Sequence, residues 1–228
     1  MTYILHIETS TKVCSIALSK NGELVQLKEI NEDGYVHGEM ITLFIQDVVG
    51  REQIEMKQLA TISVASGPGS YTGLRIGVST AKGLCYALGI PLIAIDSLVC
   101  LQQIAQSKYP NQSILAMIDA RRMEVFSTLF DANGNIVKPL SADVLEDNSY
   151  LDYEPFVVIG DGAAKMKESW GDRTITIDAL LLSSAVGQVQ MAYTKFNKQE
   201  FEDVAYFEPF YLKDFVTGVS TKNSLTNL

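Results

Sequence analysis

The amino-acid sequence predicts an α/β protein built from two lobes. Apolar, β-branched segments joined by tight turns come first, and helical and strand patterns then alternate, which is typical of the α/β class. The same order restarts after residue 110. The 228 residues, 47% of them apolar, are enough to bury two cores. We therefore predict a first lobe over residues 1–105 and a second lobe over residues 106–228.

Three strands open the first lobe. The stretch "YILHIETS" combines β-branched and aromatic residues and ends in a polar turn, so it predicts a buried strand. The stretch "VCSIALSKNGELVQLKEI" predicts two more strands around Asn21-Gly22, because Asn-Gly accommodates the positive φ angles of a tight hairpin. An antiparallel meander is therefore expected at the start of the chain.

Helices and strands alternate through the rest of the first lobe. Apolar residues at helical spacing predict a helix over Val36–Val49. The strand "LATISVAS", a glycine loop and a helix over about Thr72–Leu88 follow, and "IPLIAID" predicts a further strand. The next helix is expected to begin with Ser97 as its N-cap.

The second lobe repeats this plan without a close sequence repeat. The stretch "SILAMIDARRMEVFSTLFDANGNIVKP" predicts three strands joined by two turns. A strand, a glycine turn and a helix are predicted by "FVVIGDGAAKMKESW", and another helix by "ALLLSSAVGQVQMAYTKF". Two lobes that each open with a three-stranded meander resemble the actin-like ATPase architecture shared by sugar kinases and Hsp70.

Net charge and cysteine content indicate which binding partners and which cellular compartment to expect. The net charge of −9 makes the chain a poor binder of nucleic acid by itself, so we expect any contact with RNA to depend on a basic partner. Cys14, Cys85 and Cys100 form no C-x-x-C pair, which favours a reducing compartment over a disulfide framework or a zinc site. Because no signal-peptide pattern and no apolar run of ~20 residues is evident, we expect a cytoplasmic protein without a membrane partner.

The glycine loop "SGPGSYTGLRIG" joins a strand to a helix, a context that suits an anion site. Its spacing fits neither phosphate-binding motif. A P-loop would need Lys and Ser or Thr where Leu74 and Arg75 stand, and the dinucleotide fingerprint fails because Gly73 comes one residue late. Direct phosphate binding by this loop is therefore not favoured.

The helix after this loop carries a small face of Gly73, Gly77, Ala81 and Cys85 at four-residue spacing. Internal glycines each cost a helix about 1 kcal/mol, so their presence needs a reason. Small side chains let another backbone approach closely. The face either packs on the protein's own sheet or contacts a separate molecule, and periodicity alone does not distinguish the two.

The sequence contains few residues that could bind a metal or act as a catalytic nucleophile. His6 lies in an apolar strand and is expected in the core, and His37 at a helix start is expected as a capping or surface residue. Neither has another ligand at metal-site spacing, and no Ser–His–Asp set stands out, so we predict no metal site and no catalytic residues. The group Asp119, Arg121, Arg122 and Glu124 reads as a solvated turn with local ion pairs.

The sequence also contains candidate residues for a weak nucleotide-binding site. Glu8 ends the first strand, where a carboxylate can orient water on Mg²⁺, and "GDGA" at residues 160–163 occupies the place of a second phosphate loop. A strand-end acid that accepts hydrogen bonds from its own turn is the favoured interpretation, and Asp161 would repel a phosphate. The candidate nucleotide-binding residues are Glu8, Ser10, Gly160 and Gly162.

Several stretches together resemble the TsaB family, also called YeaZ, over nearly the whole chain. The most specific is "GPGSYTGLRIG", and the others are "ILHIETST", "IPLIAIDSL", "DARRMEVF", "VIGDGA" and "EPFYLK". Gly-Pro-Gly also occurs in TsaD, the catalytic relative with the same fold, but the continuation through Tyr71 to Arg75 is similar to TsaB. TsaD carries two histidines four residues apart, where this chain has Ser97 and Leu101.

The resemblance implies a non-catalytic subunit that forms a heterodimer with TsaD, with the ATPase TsaE assisting, for N6-threonylcarbamoyladenosine formation at position 37 of tRNA. It implies no cofactor for the chain alone, ATP or ADP with Mg²⁺ only in the assembled complex, and tRNA contact only through that complex. The same surface would also allow a homodimer. The implied partner interface lies on the two first-lobe helices, at His37, Met40, Phe44, Tyr71, Thr72, Gly73, Arg75, Gly77, Ala81 and Cys85.

The alternative is an actin-like phosphotransferase or ATPase that acts on a small molecule through Glu8 and the two glycine turns. Three features count against it: Glu in place of the usual Asp, Asp161 in the second turn, and the lack of a recognisable general base.

Overall fold

The computed structural model describes residues 1–32 and 37–213, and the strands found there form two five-stranded sheets. The first sheet contains β1 (Tyr3–Glu8), β2 (Val13–Lys20), β3 (Glu23–Asn31), β4 (Leu59–Ala65) and β5 (Leu92–Ile95). Its order is β3-β2-β1-β4-β5, with an antiparallel meander of β1 to β3 and with β4 and β5 parallel to β1. The predicted Asn21-Gly22 hairpin is confirmed, with φ angles of 51° and 83°.

The second sheet repeats the topology of the first. It contains β6 (Ile114–Asp119), β7 (Glu124–Phe130), β8 (Ile136–Val144), β9 (Val157–Ile159) and β10 (Thr176–Asp178). The order is β10-β9-β6-β7-β8, again with a three-stranded meander and two parallel strands added to its first strand. The predicted two-lobed α/β architecture is therefore confirmed.

The α-helices within the described residues are α1 (His37–Arg51), α2 (Tyr71–Leu88), α3 (Ser97–Lys108) and α4 (Val189–Lys198). Helix α2 matches its prediction to one residue, whereas Val36, predicted as the start of α1, lies outside the described residues. The predicted N-cap Ser97 is wrong. The carboxylate of Asp96 caps α3 instead, because it accepts hydrogen bonds from the amides of Leu98 and Val99 at 2.8 and 3.0 Å.

Two helices predicted in the second lobe are shorter than expected. After β9 the chain forms a 3₁₀ helix over Asp161–Met166 in place of an α-helix. The last α-helix begins only at Val189, after a 3₁₀ turn over Ala185–Gln188. Tertiary contact explains this second difference, since a β-carbon on Gly187 would lie 2.2 Å from the carbonyl oxygen of Cys100. The segment is shaped by its contact with α3 and not by helix propensity.

Helices α3 and α4 each pack on the sheet of the other half of the sequence. Leu98 and Leu101 of α3 share a core with Ile114 of β6, and Ala192 of α4 shares a core with Ile4 of β1. The chain therefore crosses between the lobes twice, and the division at residues 105 and 106 stays a prediction.

Helices α1 and α2 lie side by side on one face of the first sheet. Their apolar sides form one core with β1, β2 and β4, which includes Ile41, Phe44, Val78 and Ala81. A β-carbon on Gly38 of α1 would lie 4.0 Å from Cδ1 of Ile76 of α2, so the two helices are in contact at this point. Their opposite sides face outward from the lobe.

Candidate functional site

Glu8, the first of the candidate nucleotide-binding residues, is wholly buried at the end of β1. Its Oε1 accepts a hydrogen bond from the backbone amide of Ser10 at 2.7 Å. Burial raises the pKa of Glu8 to about 6, because desolvation disfavours the carboxylate and the hydrogen bond from Ser10 offsets only part of this effect. The geometry supports the interpretation of a strand-end acid that holds its own turn.

The glycine loop packs on the same turn. The amide of Ser70 donates to the carbonyl oxygen of Ser10 at 2.7 Å, and a β-carbon on Gly69 would lie 2.2 Å from that oxygen. Ser70 also caps α2, since its hydroxyl accepts from the amide of Gly73. Glycine is needed at position 69 because two backbone segments of this chain meet there.

Gly160 and Gly162 likewise sit against their own sheet. A β-carbon on Gly160, whose φ angle is 94°, would lie 2.0 Å from the carbonyl oxygen of Met117. One on Gly162 would lie 2.9 Å from Cγ1 of Val125. The carboxylate between the two glycines, that of Asp161, accepts from the amide of Asp119 at 2.9 Å, and burial raises its pKa. The turn is thus a packing feature of the second lobe.

A buried polar network joins the two ends of the sequence at the lobe junction. The hydroxyl of Ser63 donates to Oε1 of Gln188 at 2.6 Å and therefore accepts from Nδ1 of His6 at 2.7 Å. The other ring nitrogen, Nε2, accepts from the hydroxyl of Ser19 at 2.7 Å, so the imidazole is neutral, and burial lowers its pKa to about 3. Gln188 in turn donates to the carbonyl oxygen of Ile7 at 2.8 Å.

The core position predicted for His6 agrees with this geometry. The role of Gln188 was missed, because its partners lie 125 or more residues earlier in the chain.

The small face of α2 is directed at this protein's own turn after β1. A β-carbon on Gly73 would lie 2.1 Å from the carbonyl oxygen of Thr9, and one on Gly77 would lie 2.2 Å from Thr9 Oγ1. Ala81 and Cys85 are buried on the same side. The prediction that Gly73, Gly77, Ala81 and Cys85 contact a partner is therefore wrong, because Thr9 occupies the space beside the two glycines and the other two residues lie in the core of the lobe.

Two further predicted interface residues are also inside the lobe. His37 is fully buried, its Nε2 donates to the carbonyl oxygen of Thr11 at 2.9 Å, and burial lowers its pKa, so it is neither a capping nor a surface residue. Phe44 is buried in the core that α1 and α2 share with the sheet. Neither side chain is placed to contact another protein.

The remaining predicted interface residues reach the surface. Thr72 and Arg75 are exposed, and Met40 and Tyr71 are half-buried. The guanidinium carbon of Arg75 lies 4.0 Å from the ring centroid of Tyr71, which in turn contacts the ring of Tyr211 at 4.7 Å. These four residues stay predictions for a partner interface.

We define the outer helix face as the exposed, mostly small residues on the outward sides of α1 and α2. On α2, Thr72, Ser79 and Gly83 are seven and four residues apart and so share one side of the helix. A β-carbon on Gly83 would meet no atom within 4 Å. This second small face was visible in the sequence but was overlooked beside the glycine-rich one. The outer helix face comprises Gly38 and Thr42 of α1 and Thr72, Ser79 and Gly83 of α2.

The C-terminal segment borders α2 on its other flank. Lys82 donates to the carbonyl oxygens of Ala205 and Phe207 at 3.2 and 2.8 Å, and the amide of Phe210 donates to the carbonyl oxygen of Ser66 at 2.7 Å. The stretches "SGPG" and "EPFY" thus lie side by side in the fold. One flank of α2 is covered by this chain, and the outer helix face is left open.

Residues 1–32 and 37–213 contain no metal-binding group and no reactive thiol. No group of three or more His, Cys, Asp or Glu there is arranged to hold a metal ion. Cys14, Cys85 and Cys100 are buried free thiols, and burial raises the pKa of Cys85 to about 12, so it is not a reactive thiolate. No helix in the same part of the chain is both long and apolar enough to cross a bilayer.

Comparison with known proteins agrees with this geometry. The family model described as "TsaD: tRNA N6-adenosine threonylcarbamoyltransferase" matches residues 34–214. The Haemophilus influenzae "tRNA threonylcarbamoyladenosine biosynthesis protein TsaB" is 26% identical over 227 residues, which cover 94% of each chain. The solved structure of YeaZ from Pseudomonas aeruginosa has a TM-score of 0.79 and 25% identity, and the match covers 93% of this chain and 100% of that one.

A more distant solved structure shows the fold alone. It is the activator of the 2-hydroxyisocaproyl-CoA dehydratase from Clostridium difficile with bound ADPNP, with a TM-score of 0.53 and 10% identity over 89% of this chain and 99% of that one. The shared two-lobed topology is the actin-like architecture predicted from the two meanders. From the family-model match and the TsaB and YeaZ relatives together, the chain belongs to the TsaD-type family and, within it, to the TsaB group, also called YeaZ.

Proposed function

We propose that this chain takes part in tRNA threonylcarbamoyladenosine biosynthesis as a TsaB-type subunit that pairs with a TsaD-type catalytic subunit. The observation that carries the proposal is the outer helix face, a set of small exposed residues on two helices in contact, beside which the side chain of Tyr86 is also exposed. Small side chains on adjoining helices let a second pair of helices approach closely. Likeness to a TsaB protein over 94% of the chain supports the assignment to this biosynthesis.

We also propose that the subunit does not catalyse the transfer. Glu8 is fully buried, and Ser10, Gly160 and Gly162 each pack against their own lobe. These contacts favour a structural role for the two glycine turns and give no support to the alternative of an actin-like phosphotransferase or ATPase. On this proposal, ATP or ADP with Mg²⁺, the ATPase TsaE and the tRNA bind to the assembled complex and not to this chain alone.

The test is capture of the TsaD-type subunit of the same cell by the purified chain. Gly83→Arg places a long side chain on the outer helix face where a β-carbon meets nothing, so the fold is retained and docking of a second helix pair is blocked. Gly171→Arg is the matched control, because Gly171 is exposed in the second lobe and a β-carbon there makes only ordinary contacts. We expect both variants to melt like the wild type.

The expected result is loss of capture with Gly83→Arg and full capture with Gly171→Arg. Blocking a close helix contact typically costs about 1–3 kcal/mol, which is about fivefold to over a hundredfold in affinity. A wild-type chain that captures no TsaD-type subunit would refute the proposed pairing. Unchanged capture by Gly83→Arg would move the interface away from the outer helix face. A homodimer built on the same face would be lost in the same variant, which light scattering of the isolated chain measures.

A further inference from the structure

The hairpin between β6 and β7 turns through two arginines in an unfavourable backbone conformation. Arg121 and Arg122 have φ angles of 72° and 50°. Positive φ in a hairpin turn favours Gly, because the β-carbon of any other L residue comes close to a backbone carbonyl oxygen, and then Asn or Asp, whose short polar side chains hydrogen-bond locally. The β2–β3 hairpin of the same chain meets this requirement with Asn21-Gly22. The arginines are therefore not explained by the needs of the turn.

Neither arginine side chain makes a polar contact within the part of the chain that the structure describes. Both are exposed, and no side-chain hydrogen bond or ion pair joins either guanidinium group to another described residue. The nearby carboxylates have other partners: Asp119 pairs with Lys165 at 2.6 Å, and Glu124 pairs with Lys213. In a chain with 27 acidic and 18 basic residues, an arginine pair with no acidic partner among residues 1–32 and 37–213 is a local exception to the surface charge.

We propose that Arg121 and Arg122 contact RNA phosphates and help to position the tRNA on the assembled complex, an inference that rests on the proposed function. Arginine presents a planar set of donors that matches a phosphate and stays charged at every relevant pH. Phosphate contacts fix the register of a nucleic acid without a large buried surface. A turn of three residues is far too small for a stable protein interface, which buries about 1,000 Å² or more.

The acidic character of the rest of the chain fits this role. Two phosphate contacts do not hold RNA on a chain of net charge −9, so the turn contributes only after a partner has brought the tRNA close. Within the complex, the surrounding negative charge repels the RNA backbone and the turn attracts it. The turn then determines which edge of the second lobe faces the tRNA.

The test is tRNA binding by the complex of this chain with the TsaD-type subunit, measured between low and physiological salt. Arg121→Asn combined with Arg122→Gly installs the residues that the backbone favours. We expect the dissociation constant for tRNA to rise about tenfold at low salt and the salt slope to fall by about 1–2, as loss of one or two phosphate contacts requires. The melting temperature should rise by about 2–4 °C because the strain is relieved.

Two controls separate the charge effect from other causes. Lys57→Gln with Lys198→Gln removes the same charge from exposed sites elsewhere and should leave the salt slope unchanged. Arg121→Lys with Arg122→Lys keeps the charge and should recover most of the slope. Capture of the TsaD-type subunit should be unaffected by every variant.

Three results would overturn the inference. If the complex forms and the Asn-Gly variant binds tRNA with unchanged affinity and salt slope, the turn does not contact RNA. If this variant loses capture of the TsaD-type subunit, the arginines contact a protein carboxylate instead. A wild-type chain that captures no TsaD-type subunit would remove the proposed function and this inference together, and that result is seen before any RNA is added.

Discussion

Gly77 on α2 lies so close to Thr9 that a β-carbon on the glycine would stand 2.2 Å from Thr9 Oγ1. The same hydroxyl donates to the carbonyl oxygen of Gly73 at 2.8 Å, one helical turn earlier. Helix α2 is thus held against the turn after β1 by direct contact of its backbone. The glycines that a nucleotide-binding or partner-docking interpretation would use are needed for this contact inside the lobe.

We predict that Gly77→Ala destabilises the protein although alanine is the better helix former. The added methyl group collides with Thr9 and breaks its hydrogen bond to Gly73, at a cost of about 1–3 kcal/mol. Gly83→Ala is the matched control on the same helix. Since a β-carbon there meets no atom within 4 Å, it should stabilise by about 1 kcal/mol. Urea unfolding measures both, and equal effects of the two substitutions would contradict the contact.

Glu8→Gln should stabilise the protein in a pH-dependent way. Burial raises the pKa of Glu8 from 4.5 to about 6, so the folded state holds this proton more tightly than the unfolded chain does. Its contribution to the free energy of unfolding therefore falls as pH rises from 4.5 to 6, by about 2 kcal/mol in total. The neutral glutamine does not titrate, so its advantage is full above pH 6 and vanishes below pH 4.5.

The measurement is the difference in unfolding free energy between Glu8→Gln and the wild type at several pH values. His6, whose pKa burial lowers to about 3, titrates in both proteins and cancels in this difference. A difference that does not change between pH 4.5 and 7 would show that Glu8 is not perturbed by its burial.

Gln188→Leu should loosen the junction of the lobes. It leaves the Ser63 hydroxyl and the Ile7 carbonyl oxygen buried without their partner, and each unsatisfied group costs about 1–3 kcal/mol. The matched control is Gln190→Leu. Gln190 also donates to a backbone carbonyl oxygen, that of Gly22, but it is exposed, so the loss should stay below about 1 kcal/mol. Similar losses for both glutamines would argue against the buried network.

The isolated chain should not be stabilised by Mg²⁺ and ATP. Glu8 is fully buried, and both glycine turns pack on backbone atoms of the chain, so neither turn offers an open cradle for phosphates. A ligand present at 100 times its dissociation constant adds about 2.7 kcal/mol, which raises the melting temperature by several degrees. We expect a shift of less than about 1 °C in a thermal melt. A magnesium-dependent rise of several degrees in the melting temperature would support the ATPase alternative.

Local sequence patterns predicted the elements of the first lobe well. Asn21-Gly22 indicated its hairpin because few residues other than Asn and Gly tolerate the φ angles required there. Helix α2 was predicted to within one residue, and in the structure Ser70 caps its start and Gly89, with a φ angle of 67°, ends it. Such signals act within a few residues, and tertiary packing seldom overrides them.

Elements that are shaped by distant contacts were predicted less well. The stretch from Ala185 to Gln188 has a helical pattern but forms a 3₁₀ turn, because Gly187 meets the backbone of Cys100. Helices α3 and α4 pack on the sheet of the other half, and no local pattern carries that information.

The sequence by itself determined the two-lobed α/β architecture, the resemblance to TsaB and the lack of histidine pairs for a metal site. Tertiary structure alone decided which face of α2 is free. That helix carries two small faces, one with Gly73 and Gly77 and the other with Thr72 and Gly83, and the spacing of each set fits one side of a helix. The turn after β1 lies against the first face, with Thr9 in contact, and leaves the second face open to a partner. The contact between Thr9 and Gly73, which are more than 60 positions apart, determines which face is buried. Burial of a helix face depends on what packs against it and not on the pattern of the helix itself.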